Sequence, residues 1–295
     1  MKITLSKHAG FCPGVRRADN TIKALINSSD SGKIYTLGQL IHNRLYNAEL
    51  SELGVESLKN SDIENLLDLQ NDTKITLVIR THGIPKEQYE YLQNLSNSNP
   101  NLNLVDMTCP YVKRIHEIAD KNTDSSTVFL LFCDPNHPEA IGTLSYAHGE
   151  KYPFSSLEEL KNIEIGKKTP VLCSQTTQNL SEFKRIKKFL EKLYTNSIFF
   201  DTICSVTENR QNEAIKIAKD SDAMIVIGGR ESSNTHKLYD LCSGVCPRTL
   251  WIESQSELTD SVFFDGANSV GITAGASTPD GIITEVLKLW KKTKK

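Results

Sequence analysis

Short apolar runs alternate along the chain with longer stretches whose apolar positions recur at helical spacing. That is the pattern of strands joined by helices in a parallel α/β sheet. Strands are predicted at Lys2–Ser6, Ile34–Leu37, Ile75–Ile79, Leu102–Val105, Val128–Phe132, Val171–Cys173, Ile198–Phe200, Ala223–Ile227, Leu250–Ile252 and Val270–Thr273. Helical spacing is clearest at Val112–Lys121, Glu182–Tyr194, Asn209–Lys219 and Gly281–Lys292. Residues 60–73, rich in Asn, Asp and Ser, read as a surface insertion with one short helix. The longest apolar runs, such as Val128–Cys133, fall far short of the ~20 residues that span a bilayer.

The pattern also repeats about every third of the chain, and such a period organises a fold. Three segments read strand, cysteine, helix: KITLSKHAGFCPGVRRADNTIKAL, LNLVDMTCPYVKRIHEIADK and SIFFDTICSVTENRQNEAIKIAK. Their cysteines are Cys12, Cys109 and Cys204, almost evenly spaced. After each comes a strand ending in a polar motif, around His42, His137 and Ser233, and then a second such strand, ending around His82, Thr176 and Ser277. Polar motifs in register at strand C-termini are where open parallel sheets hold ligands, beside helix N-termini. The repeat predicts three similar parallel-sheet α/β domains, 13–108, 109–203 and 204–295 plus 1–12, in a pseudo-threefold, trefoil-like arrangement. Strand Lys2–Ser6 precedes the first cysteine, so it completes the third sheet. Three thiols would then face one centre.

Composition narrows the function. Of 295 residues, 38% are apolar and 24% charged, as in folded globular proteins. Lys and Arg number 34 against 36 Asp and Glu, a net charge of -2, which gives no basic field for nucleic acid or an anionic membrane. The N-terminus lacks a signal peptide's apolar stretch and a transit peptide's arginines, so a cytoplasmic protein is expected. In a reducing compartment, seven cysteines are not read first as disulfides. Cys133 and Cys173 lie in apolar runs and read as core filler. Cys242 and Cys246 could share a helix face, but no such pair repeats threefold.

Cys12, Cys109 and Cys204 read differently. Cys12-Pro13 and Cys109-Pro110 place a thiol at an N-cap with Pro at the first helical position; Cys204 has Ser205 instead. A helix N-terminus favours thiolate, the metal-binding form. Three thiolates at one point suit a metal centre with an open position: zinc short of its fourth ligand, or an iron–sulfur cluster with one iron lacking a protein thiolate. The plain alternative is three buried core thiols. His42, His82 and His137, with the short donors Thr176, Ser232, Ser233, Asn234 and Ser277, suit a compact anion such as phosphate or diphosphate, although alone Ser232–Asn234 could be an ordinary helix cap and a lone His structural or surface. Glu139, following Pro138, reads either as a first-turn carboxylate facing the helix dipole or as a general acid. His8, His116 and His148 stand outside the repeat and read as structural or surface residues. No GxxxxGK[ST], GxGxxG after a strand or GxSxG occurs, which removes P-loop, Rossmann and serine-hydrolase readings.

Taken in order, GFCPGV, HNR, THG, TCPYV, HPE, SQTT, TICSVTENRQ, SSN and TAGAS resemble the 4-hydroxy-3-methylbut-2-enyl diphosphate reductases over essentially the whole chain. The resemblance implies one [4Fe-4S] cluster per chain on Cys12, Cys109 and Cys204. It implies substrate diphosphate bound by His42, His82, Ser232, Ser233, Asn234 and Ser277, with His137, Thr176 and the proton donor Glu139 beside the allylic hydroxyl. The implied reaction is the reductive dehydroxylation that ends the methylerythritol phosphate route to isopentenyl and dimethylallyl diphosphate. An electron-donor protein such as ferredoxin or flavodoxin would be the partner. Two departures stand out: Cys133 before Asp134 where a glycine is expected, and Thr81 before His82 where Ser or Ala is familiar. Other readings are an iron–sulfur dehydratase resembling quinolinate synthase, whose carboxylate substrate would favour Arg clamps, and a cluster-based redox sensor, which would not need Glu139 or the anion donors.

Overall fold

Three four-stranded, wholly parallel sheets carry the chain in a computed structural model that describes residues 1–59, 74–258 and 261–292. The insertion expected at 60–73 lies outside the described residues. In chain order the strands are β1 Lys2–Leu5, β2 Lys33–Leu37, β3 Val55–Leu58, β4 Ile75–Ile79, β5 Leu102–Asp106, β6 Thr127–Phe132, β7 Glu150–Phe154, β8 Thr169–Ser174, β9 Ile198–Phe199, β10 Ala223–Ile227, β11 Thr249–Ile252 and β12 Ser269–Ala274. The sheets run β3-β2-β4-β5, β7-β6-β8-β9 and β11-β10-β12-β1. Each therefore has one spatial order: second strand, first, third, then the strand that leads into a repeat cysteine. β1 closes the third sheet by pairing with β12, Lys2 opposite Ser269 through Leu5 opposite Ile272.

All ten predicted strands form. The two that the apolar pattern missed, β3 and β7, are each one of the two outer strands of their sheet. An outer strand pairs on one side and packs on little, so its residues need not be apolar: β7 reads EKYPF with only Phe154 buried, and β3 reads VESL with only Val55 buried. The helix expected from Asn209 begins at Ser205, because Cys204 caps it and its first turn is polar.

The described chain packs as two compact units: Met1–Arg16, Ile41–Ala48 and Cys204–Lys295 in one, Arg17–Leu40 and Glu49–Ile203 in the other. Within the first, β10 is buried on both faces by its period of two. Ala223, Ile225 and Ile227 join Val286 of the helix Asp280–Lys292, whereas Met224 and Val226 meet Ala214 and Leu238. Within the second unit, β6 divides likewise. Val128, Leu130 and Phe132 pack on Phe183 and Ile186 of the helix Leu180–Leu193, and Phe129 and Leu131 on Ile115 and Ala119 of the helix Pro110–Asn122. Helices on both faces leave only the strand ends open to a ligand.

Candidate functional site

The strand order reverses between the first and third strand of each sheet, and a parallel sheet opens a crevice at such a switch point. The polar motifs stand there. His42, His137 and Ser232 each lie five positions beyond the last residue of β2, β6 and β10 respectively. His82, Thr176 and Ser277 follow β4, β8 and β12 within three positions. Every sequence-predicted anion donor is therefore at a strand C-terminus or in the first turn of the helix after it.

At the β10/β12 crevice the donors interlock. Ser232 caps the helix Ser233–Ser243 by accepting from Thr235 N. Ser277 Oγ lies 3.2 Å from both Ser232 Oγ and the backbone oxygen of His42. Asn234 Oδ1 accepts from Ala276 N at 2.9 Å, which turns its amide the other way. The buried Nδ2 of Asn234 has no acceptor among the described residues. A buried donor left unmade costs ~1–3 kcal/mol, so this atom is suited to an arriving anion oxygen. The backbone comes close here too: a Cβ on Gly229 would stand 2.8 Å from His42 O, and one on Gly275 2.1 Å from Thr235 Oγ1.

At the β6/β8 crevice the arrangement is acidic. Pro138 starts the helix Pro138–Tyr146, and His137 caps it: His137 Nδ1 accepts from Glu139 N at 3.1 Å, which leaves the ring proton on Nε2. Glu139 is 2% exposed, and its carboxylate accepts from Thr176 N at 2.6 Å and Thr176 Oγ1 at 2.8 Å. Burial pushes its pKa up to about 7, and the two bonds from Thr176 only partly oppose that. A first-turn carboxylate serving the helix dipole would sit in solvent and stay ionised. This one holds or releases a proton near neutrality. The His137 ring stacks edge-on to His82, centroids 5.2 Å apart.

The cysteines sort into two groups. Cys12 directly precedes the helix Pro13–Ile26, and Cys109 and Cys204 are the N-caps of their helices. All three are half-buried, whereas Cys133, Cys173, Cys242 and Cys246 are buried in apolar clusters. Burial pushes the Cys173 thiol strongly up against the pull of Arg114, and burial, with the neighbouring Cys246, takes Cys242 to about 12, as for inert filler. At Cys204 the N–H groups of Val206 and Thr207 draw the thiol down as the helix dipole should, but burial outweighs them. Soft sulfur donors at partly open helix N-termini fit an iron–sulfur or zinc centre.

The other histidines are structural or superficial. Burial lowers the His116 pKa to about 4, and the neutral ring stacks on Tyr146 with centroids 4.2 Å apart. His148 Nε2 lies 3.2 Å from Asp120 on the surface. Two residues of interest escaped the sequence reading. Gln175, beside Thr176, is buried; its Oε1 accepts from Asp134 N, and its Nε2 has no partner among the described residues. Its place within SQTT was the available signal. Arg210, within TENRQ, is the second.

The class is a parallel α/β protein that carries short neutral donors at its switch-point crevices, one carboxylic acid poised near neutrality and three thiols at helix N-termini. A family model described as LytB protein matches residues 3–291, and the chain belongs to that family. It is 36% identical over 294 residues to the 4-hydroxy-3-methylbut-2-enyl diphosphate reductase of Caldanaerobacter subterraneus subsp. tengcongensis, covering 100% of this chain and 98% of the relative. To the enzyme of that description from Campylobacter hominis it is 40% identical over 292 residues, covering 98% of each. A solved structure of (E)-4-hydroxy-3-methyl-but-2-enyl diphosphate reductase, described as the terminal enzyme of the non-mevalonate pathway, superposes with a TM-score of 0.66 at 34% identity, covering 99% of this chain and 100% of that one. Among the described residues no helix is long and apolar enough to cross a membrane.

Proposed function

We propose that this protein is a 4-hydroxy-3-methylbut-2-enyl diphosphate reductase that removes the allylic hydroxyl with two electrons and two protons, releasing water and forming isopentenyl or dimethylallyl diphosphate. The observation that carries the reading is Glu139. It is a carboxylic acid buried at a strand-end crevice, held by two bonds from Thr176, and poised near neutral pH. Breaking a C–O bond to a poor leaving group calls for such a proton donor.

In this reading Cys12, Cys109 and Cys204 hold one [4Fe-4S] cluster per chain. Bound there, such a cluster would supply the two electrons and Lewis-acid character to the site. The rest is done by the chain. His42, His82, Ser232, Ser233, Asn234 and Ser277 bind the diphosphate, and the interlocked Ser232, Asn234 and Ser277 can receive it without rearranging their caps. Holding that end orients the allyl group. Thr176 keeps the Glu139 carboxyl fixed and, with His137, lies beside the hydroxyl. Glu139 gives its proton to the departing oxygen. The domain division 13–108, 109–203 and 204–295 with 1–12 belongs to the same proposal and draws support from the shared strand order. So do a cytoplasmic location and an electron donor of the ferredoxin or flavodoxin kind.

The test is a visible spectrum of anaerobically purified protein, followed by titration with the allylic diphosphate. An iron–sulfur chromophore that shifts saturably with substrate is expected. A colourless protein that reconstitution with iron and sulfide leaves colourless would refute the reading. A cluster indifferent to the diphosphate would favour a redox sensor instead.

A further inference from the structure

Arg210 heads the fully buried side chains by volume among the described residues. It stands six positions after Cys204 on the helix Ser205–Lys219. One terminal nitrogen donates to Ala274 O at 2.5 Å and the other to Gly10 O at 2.8 Å. Gly10 lies two residues before Cys12, in a left-handed turn (φ +91) that an ordinary side chain resists. Ala274 ends β12, and two residues later Ala276 O accepts from Cys12 N at 3.2 Å. The guanidinium thus ties the helix that presents Cys204 to both strands of chain that hold Cys12.

Its charge is not neutralised in the ordinary way. Arg210 makes no ion pair with a carboxylate among the described residues, and its Nε has no acceptor there. Of the two acidic residues on the same helix, Glu208 and Glu213, it is Glu213 whose charge acts on Arg210, and it already accepts from Ser6 Oγ at 2.5 Å, Lys7 N at 3.0 Å and His8 N at 3.0 Å. Burial draws the Arg210 pKa down to about 10, which leaves it cationic at neutral pH, and the groups that oppose the shift are Cys12, then Cys204, then Glu213. A buried cation with two carbonyls and no counter-ion is costly, and a surrounding built only for packing would not keep it.

We infer that Arg210 is the positioning residue and resident counter-charge of the Cys12–Cys204 pair: it fixes the two sulfurs relative to one another and favours the more negative, reduced state of the group they hold. The inference rests on the reading of those cysteines as metal ligands. A metal-bound sulfur is deprotonated, so loading supplies the negative charge that Arg210 lacks. A positive charge close to the ligands raises the potential of an iron–sulfur centre.

The experiment compares wild type, Arg210→Met and Arg210→Lys as full-length, anaerobically purified proteins. Iron content, the midpoint potential from a mediated redox titration, and the rate of iron release to a chelator are measured beside the melting temperature. Arg210→Met is expected to shift the midpoint potential to more negative values and to release iron faster by roughly tenfold or more, the range seen when a group supporting metal ligands is lost. Arg210→Lys keeps the charge but cannot span both carbonyls. It should stay near the wild-type potential while releasing iron faster. A folded, loaded Arg210→Met protein with wild-type potential and release overturns the inference. If Arg210→Met does not fold, Arg210→Lys decides, and unchanged release refutes the tie. Wild type that holds no iron removes the ligand reading itself, and the Arg210 inference with it. Wild type that holds iron beside unresponsive variants removes only the Arg210 inference.

Discussion

Replacing Glu139 by Gln keeps the side chain's size but removes its proton, and the structure sets what should follow. The carboxyl's pKa is raised from 4.5 to about 7 by burial. At about 1.4 kcal/mol per unit, the folded protein disfavours the ionised form by about 3 kcal/mol. The folded state therefore keeps a proton that the unfolded chain has already lost. This cost is absent below the unfolded pKa, grows as pH rises, and is complete above about 7. Relative to Glu139→Gln, whose amide stays neutral throughout, wild type should lose about that 3 kcal/mol of stability between pH 4.5 and 8.5. Loss of one of the two Thr176 bonds shifts the variant by ~1 kcal/mol at every pH and does not alter the slope. Denaturant unfolding of matched pairs across that range measures the difference. Turnover gives the second readout. A general acid contributes on the order of 10²–10⁴ in rate, so Glu139→Gln should bind the allylic diphosphate and keep its metal while losing about that factor in kcat. Wild-type kcat/KM should fall above pH 7 as the acid ionises. Near-normal turnover in Glu139→Gln, or a pH-independent stability difference, would refute the assignment. A carboxylate that merely faced the helix dipole would alter stability by ~0.3–1 kcal/mol and leave turnover intact.

Changing Cys12, Cys109 or Cys204 to Ser should abolish the iron chromophore, because a hydroxyl is a poor ligand for soft metals, while Cys133→Ser and Cys173→Ser should keep it at some cost in melting temperature. Iron content and thermal melts separate the groups. Asn234→Ala deletes a buried amide nitrogen that has no acceptor among the described residues and should weaken diphosphate binding by about 1.5–3 kcal/mol, read by calorimetry with substrate and with inorganic diphosphate as competitor. Gly275→Ala would place a methyl 2.1 Å from Thr235 Oγ1 and should destabilise the protein by ~1–3 kcal/mol in denaturant unfolding.

Strand and helix placement was written in local pattern. β10 is an unbroken apolar run, as is β6 after Thr127, and β4 is broken only by Thr76, because both faces of each are covered; such runs stand out against helical spacing. The threefold recurrence of strand, cysteine and helix even placed β1 at the end of the third sheet, since a strand that precedes the first cysteine has no other repeat to complete. β3 and β7 left little trace because each buries a single residue and its other positions are largely polar or exposed. Which residue types gather at the strand ends was equally legible, for position after a strand is a property of the chain.

Environment was not. In sequence, Glu139 is simply the second residue of a helix, equally fit for dipole duty in water. Only the packed structure takes it out of solvent and hands it the two donors of Thr176, 37 positions away. The helix dipole expected to ionise Cys204 is present, but its contest with burial has no local signature. Arg210 is the sharpest case: a charged residue in a polar first stretch of helix reads as surface. Its burial follows from Gly10 and Ala274 meeting over the helix, from parts of the chain 200 and 64 positions distant. Pattern along the chain determined what each segment becomes, because backbone hydrogen bonding and periodic burial are local. Protonation, charge compensation and site geometry were decided by tertiary structure, because desolvation depends on which distant atoms exclude the water.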